Sequence, residues 1–363
     1  MTALAAIAGT ALLLLVLWEA FETIVLPRRV TRRVRLTSLF YRCTWRPWAW
    51  LAGRVRKHRR RESLLGLYGP LSLVFLLAFW AAGLIIAFAL LEWSAGSHLR
   101  PGDVHSVSDD LYFSGTTFFT LGLGDLAPVS SLARAFAVIE AGMGFGFLAL
   151  VIGYFPVLYQ SFSQREVNIS LLDARAGSPP AAAELLRRHA QNLPELDRLL
   201  RDWERWAAEL LESHLSYPVL AYFRSQHDNQ SWLAALTAML DTCVLCAAGV
   251  PNGPARQAQL TFAMARHALV DLAQVFNTPP HSPGHDRLTA DDMQRLRELL
   301  LEAGLPLPDG AATEARIHEL RAMYEPYAFA LSRHLRIQLP RWIHPATARD
   351  NWQTSRWGRG VLA

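Results

Sequence analysis

The chain has 363 residues with a mean hydropathy of +0.14 and 52% hydrophobic residues, longer than one typical domain and too apolar for a wholly soluble protein. Its net charge of +5 is concentrated: residues 28–61 carry thirteen Lys or Arg and no acidic residue, the signature of a membrane flank rather than of a nucleic-acid surface. Three cysteines, Cys43, Cys243 and Cys246, are too few for a disulfide scaffold of this length, so the soluble part reads as cytosolic.

Ala3 to Leu26 is apolar and long enough to cross a bilayer, with Glu19 and Glu22 near its end, where arginines such as Arg28 are the expected partners. It lacks the basic leader of a secretory signal, so an uncleaved anchor is expected. In the following basic stretch Trp45, Trp48 and Trp50 alternate with Arg42, Arg46 and Arg54, which suits a segment in the headgroup layer, or alternatively a solvated hairpin. Leu64 to Leu91 has no charged residue and forms a second span, with Trp80 and Trp93 expected at its interfaces. Ala135 to Phe162 holds one carboxylate, Glu140, and forms a third. The basic stretch then lies in the cytoplasm, the N-terminus and the 92–134 loop outside, and everything after Gln164 inside.

Beyond residue 166 the apolar spacing is helical. Leu193 to Leu215 carries a Leu and Trp stripe, Asn229 to Ala248 ends at Gly249, Thr289 and Asp292 form a capping box, and Thr313 is expected to open a helix running to about Ile337. Thr278 to His285 reads as a loop. The predicted architecture is an all-α membrane protein: three transmembrane helices with a re-entrant pore helix and filter loop, plus a C-terminal α-helical cytosolic domain. The segments are residues 1–30 (first span), 31–63 (basic linker), 64–165 (pore domain), 166–340 (cytosolic domain) and 341–363 (basic aromatic tail, touching the membrane or disordered).

Between the second and third spans, residues 108–119 suit a re-entrant half helix capped by Ser108 or Asp109, its C-terminal dipole end facing an entering cation. The residues that follow, Thr120-Leu121-Gly122-Leu123-Gly124-Asp125, must return with irregular backbone, tolerated only where it is buried or lines a water-filled path. Gly122 and Gly124, at alternate positions, permit positive φ, so successive carbonyls can turn to one axis.

This arrangement resembles the potassium-channel pore family, in which two spans flank a loop bearing Thr-Val-Gly-Tyr-Gly-Asp; the likeness covers roughly residues 70–160 and includes Pro128 and Arg134. The resemblance implies K+ sites at the Thr120 hydroxyl and the carbonyls of Thr120, Leu121, Gly122 and Leu123, with Asp125 at the outer mouth. It also implies a homotetramer in the cell inner membrane, with K+ as the permeating ion and no cofactor. Leu123 replaces the usual aromatic, and Tyr112 and Phe113 stand where many members have tryptophan, so the Leu123 side chain is expected to pack into their cuff without a hydrogen bond.

Within the third span Gly142, Gly144 and Gly146 mark either a gating hinge or a close helix contact, and Pro156 a place to splay the helix. Glu140 either backs the pore helix through Thr116 or Thr117, or faces the cavity. In the soluble half Cys243 and Cys246 read as core thiols, while His214 and His227 are ordinary surface or core residues unless they act as ligands or pH sensors. No dinucleotide fingerprint follows a strand and no nucleophile and base constellation appears, so an enzyme is not expected. Residues 28–61 suit anionic lipids as partners, and no nucleic acid. The function expected is a potassium-preferring channel; the alternatives are a weakly selective monovalent cation channel and a non-conducting membrane-anchored helical sensor.

Overall fold

The computed structural model describes residues 2–25, 36–95, 99–100, 106–282, 284–345 and 349–353, which fold into two compact units. The described residues are predominantly helical. Three helices are long and apolar enough to cross a membrane, at Thr2–Ile24, His58–Ser94 and Ser131–Ala176.

The first unit comprises Met1–Trp48 and Pro70–Gln160. Helix α1 (Thr2–Ala20) ends in a π-helical turn, Phe21–Val25, and is followed by α2 (Leu36–Gly53), which continues into the second unit. Helix α3 (His58–Ser94) carries the second apolar run, α4 (Val107–Phe118) lies in the loop, and α5 (Ser131–Ala176) carries the third. Small residues let α1 and α3 approach closely: a Cβ on Gly9 would lie 2.9 Å from the Ala87 carbonyl oxygen, and one on Gly83 2.9 Å from Val16. Glu19 is buried at the end of α1 and accepts from the Thr37 backbone N–H at 3.1 Å and hydroxyl at 2.9 Å, while Glu22 accepts from the Trp18 indole at 2.7 Å. Their expected partner, Arg28, lies outside the described residues. Trp80, expected at an interface, is buried within the unit and sits mid-helix, roughly 21 Å from Ser94 at 1.5 Å per residue.

In α2 the tryptophans divide: Trp45 is buried, whereas Trp50 is exposed with the Arg54 guanidinium 3.6 Å above its ring. Two short strands, β1 (Leu99–Arg100) and β2 (Ala127–Pro128), pair antiparallel with Leu99 opposite Pro128. Nothing in the sequence pattern announces them.

The second unit comprises Ala49–Gly69 and Ser161–Ala363, so one end of α3 and one end of α5 belong to it. It adds α6 (Ala182–His189), α7 (Leu193–Ser216), α8 (Trp232–Ala247), α9 (Ala255–Val275), α10 (Ala290–Glu302), α11 (Ala311–Ala322) and α12 (Glu325–Leu335). Helix α8 is apolar on all sides and forms the centre, its side chains from Trp232 to Cys246 buried, as such a helix must be in water. Helices α7 and α9 pack against each other and α9 packs on α8; α9 has no strong cap or stripe and was not singled out from sequence. Thr289 caps α10 and Asp292 closes the capping box, as expected.

The helix expected from Thr313 to Ile337 is two, α11 and α12. Pro326, at the second position of α12, lacks an amide hydrogen and prevents an unbroken run, and Gly310 rather than Thr313 precedes α11.

A buried ionic group fastens these helices. Asp241 of α8 takes the Arg287 guanidinium at 2.5 Å and the Tyr324 hydroxyl, and Arg287 also reaches Glu325 at 2.9 Å and the Pro340 carbonyl at 2.9 Å. Trp342, expected in a membrane-touching or disordered tail, is buried near Arg287 and Arg321, and its carbonyl accepts from the Ala183 N–H at 3.0 Å. Trp357 lies outside the described residues.

The α5 end is anchored by Arg165, whose guanidinium donates to Glu166 and to the carbonyls of Leu220 and Phe223 at 2.8 and 2.9 Å. The α3 end meets the same segment: Tyr68 and Tyr222 pack edge to face at 5.3 Å, and a Cβ on Gly69 would lie 2.6 Å from the Phe223 ring.

Candidate functional site

The loop between α3 and α5 begins with a capped helix. Ser106 precedes α4 and donates its backbone N–H and its hydroxyl to Asp109, both at 2.9 Å. The cap expected at Ser108 or Asp109 is therefore two or three residues earlier: Asp109 is the third helical residue and reaches back.

At its other end α4 closes with the Leu121 N–H on the Thr116 carbonyl at 2.8 Å and the Thr120 N–H on the Thr117 carbonyl at 2.9 Å. This is a Schellman closure with Thr120, φ 55°, in the left-handed position that glycine usually fills. Gly122 and Gly124 follow with φ 56° and 78°, whereas Leu121 and Leu123 keep negative φ. Positive φ at every second residue is a backbone that turns consecutive carbonyls toward one side. The glycines make this accessible without a Cβ clash, and Thr120 accepts the strain of about 1–3 kcal/mol that a non-glycine residue pays there.

The return path is fastened from three directions. The Tyr112 hydroxyl donates to Asp125 Oδ2 at 2.9 Å, tying the pore helix to the residue after the second glycine. Arg134 of α5 donates to the Pro128 carbonyl at 3.1 Å, and the β1–β2 pairing holds Ala127 and Pro128 from the α3 side. Leu123 does not pack into a cuff of Tyr112 and Phe113 within one chain: its side chain is 62% exposed while Phe113 is buried. Leu121 and Phe119 are exposed to a similar degree.

Behind the loop, α5 meets α4 directly. A Cβ on Gly144 would lie 1.8 Å from the Phe118 carbonyl oxygen, so only glycine admits this approach; nothing lies within 4 Å of one on Gly142 or Gly146. Of the hinge and close-contact alternatives, Gly144 has the geometry of the contact. Helix α5 runs unbroken through all three glycines and through Pro156.

Glu140 is fully buried, and its partner is neither threonine. Thr116 donates to the Phe113 carbonyl of its own helix at 2.9 Å, while the Ser114 hydroxyl lies 2.5 Å from Glu140 Oε1 and 2.8 Å from the Ile85 carbonyl oxygen of α3. Two further buried acids, Glu92 at the end of α3 and Asp110 of α4, complete an acidic group the sequence reading missed. Nothing but their positions near loop ends could have signalled them.

Elsewhere, Cys243 and Cys246 are buried in α8, His214 is buried and His227 is exposed; among the described residues no group of His, Cys, Asp and Glu is arranged to hold a metal ion.

Three long apolar helices and a re-entrant helix with its irregular loop define a multi-pass membrane protein with a pore-type loop. Residues 73–160 match the sequence family described as ion channel, and the likeness to potassium-channel pores lies in this segment. Over that region the chain is 35% identical across 79 residues to two pore potassium channel c of Oryza sativa subsp. japonica, which covers 22% of this chain and 17% of the relative. It is 42% identical across 55 residues to two-pore potassium channel 5 of Arabidopsis thaliana, covering 15% of this chain and 14% of the relative. A longer match, 23% identical across 272 residues, covers 71% of this chain and 75% of the uncharacterized membrane protein YdjJ of Bacillus subtilis (strain 168). The chain thus spans less than a fifth of the plant channels it matches. No solved structure matches it.

Proposed function

We propose that this chain is one of four identical subunits of a potassium-preferring channel, with the carbonyls of Thr120, Leu121, Gly122 and Leu123 forming the ion sites. The observation that carries this reading is the alternation of positive φ at Thr120, Gly122 and Gly124 directly after a capped half helix. A row of carbonyls turned to one side can replace the water shell of a monovalent cation only if other rows face it, and one chain has one row. The exposed Leu121, Leu123 and Phe119 side chains are the surfaces that neighbouring subunits would cover. The likeness to plant potassium channels over this segment favours K+ as the ion. Glu140 and Tyr112 back the filter, and residues 28–61 face the cytoplasm and anionic lipids of the cell inner membrane.

Two measurements test the reading. The mass of the detergent-solubilised particle should be that of a tetramer, and a monomer or trimer would rule the channel out. In bilayers under bi-ionic K+ and Na+, the reversal potential of the wild type should favour K+, with Leu123→Tyr either sharpening the preference or blocking conduction. Equal passage of Na+ and K+ would replace the assignment with a weakly selective cation channel, for which the missing aromatic hydroxyl at Leu123 is the reason.

A further inference from the structure

Ser114 joins three helices behind the filter. It lies on α4, 2.8 Å from the Ile85 carbonyl oxygen of α3 and 2.5 Å from Glu140 Oε1 of α5, and both Ser114 and Glu140 are fully buried. A serine hydroxyl has one hydrogen to give, and a backbone carbonyl can only accept. If Ser114 gives its hydrogen to an ionised Glu140, its oxygen is left against the Ile85 oxygen with no hydrogen between them. If it gives its hydrogen to Ile85, the contact with Glu140 needs a hydrogen on Glu140. Only the second assignment satisfies both contacts.

The surroundings point the same way. Glu140 Oε2 and both carboxyl oxygens of Glu92 are buried with no hydrogen-bond partner among the described residues, and Glu92 is in electrostatic reach of both Asp110 and Glu140. No Lys or Arg is paired with Glu140 among the described ion pairs. An anion there would face like charges in a region that water does not screen.

We propose that Glu140 is a protonated carboxylic acid that donates through Oε1 to Ser114 Oγ, while Ser114 donates to the Ile85 carbonyl, so that one relayed pair of hydrogen bonds pins the pore helix to both spans. Glu140 is thereby a positioning residue for the filter, acting through Ser114 and never touching the ion. The pin begins four residues before Phe118, whose carbonyl rests on Gly144, so α4 is held to α5 at two successive turns. Its effect on conduction rests on the channel reading; its protonation does not.

The test uses the full chain. Infrared difference spectra of wild type minus Glu140→Gln at neutral pH should show the loss of a protonated-carboxyl stretch with no matching carboxylate loss. In bilayers Glu140→Gln, whose amide can still donate to Ser114, should keep the wild-type K+ over Na+ permeability ratio, whereas Glu140→Ala and Ser114→Ala should lower it several-fold. A carboxylate signal alone, or a Glu140→Gln channel as impaired as Glu140→Ala, would overturn the proposal. If Glu140→Ala does not fold, the infrared band and the Glu140→Gln comparison still decide. A wild type that passes no ions would defeat the channel reading while the band still reports the proton.

Discussion

His214 lies on α7 with its ring 5.3 Å from Trp232, and its Nδ1 donates to the Leu210 carbonyl at 2.8 Å. Its Nε2 faces Arg165 Nη1 at 3.3 Å, and that arginine is already paired with Glu166, the nearest acid on the same element. Burial first, and the guanidinium second, hold the His214 pKa well below its ordinary value of 6.5. Below pH 6.5 the unfolded chain therefore takes up a proton that the folded chain refuses, so this contribution to stability is complete above that value and is lost as the pH falls beneath it. Denaturant midpoints between pH 7.5 and about 5 should fall for the wild type and fall less for His214→Asn, whose midpoint at pH 7.5 is lower to begin with. Identical slopes in the two proteins would show that other groups carry the acid sensitivity.

At the scale of elements, the contact between α4 and α5 makes a sharper claim about the inner helix. A methyl group at Gly144 meets the Phe118 carbonyl at 1.8 Å, so α4 or α5 must shift, at a cost of about 1–3 kcal/mol for overpacking of this kind. Phe118 precedes Thr120 of the proposed filter by two residues, and displacement there should reach the carbonyls. Gly144→Ala is thus expected to degrade ion selectivity or abolish currents, as measured by reversal potential. A variant that altered only open probability and left selectivity intact would mark Gly144 as a hinge instead. The glycines at 122 and 124 were legible because their need is local: a backbone of alternate handedness asks for residues without Cβ at alternate positions. The third left-handed residue, Thr120, was not, since a Schellman closure is set by where α4 stops. Ser114 as the partner of Glu140 was equally hidden, because the rotation of α4 about its axis decides which hydroxyl faces α5. In the second unit, caps and stripes located α7, α8 and α10, and Pro326 should have divided the last long helix. The Asp241–Arg287–Glu325 group brings together residues 38 to 84 positions apart, and no short-range pattern encodes it.

At the scale of the whole molecule, three spans with a basic stretch between the first two predict that residues 2 and 180 lie on opposite sides of the membrane. Single cysteines can test this because the native thiols sort themselves by environment. Cys43 is exposed and must be replaced by serine, but Cys243 and Cys246 lie buried near the C-terminal end of α8, where burial raises the first well above its ordinary value of 9 and the second to about 12. Thiolates are the species that react, so these two stay silent at neutral pH and can remain in place. In the Cys43→Ser background, Thr2→Cys and Ser106→Cys should react in intact cells with a membrane-impermeant maleimide, and Pro180→Cys only after permeabilisation. The same arrangement would put the thirteen basic residues of 28–61 on the side of Pro180, where anionic headgroups and the membrane potential both favour positive charge. Labelling of Ser106→Cys from outside with Thr2→Cys protected would mean that α1 turns back without crossing, leaving the pore unit with two spans. Protection of Ser106→Cys with Pro180→Cys exposed would invert the pore, and with it the direction in which the C-terminal dipole of α4 meets an entering ion.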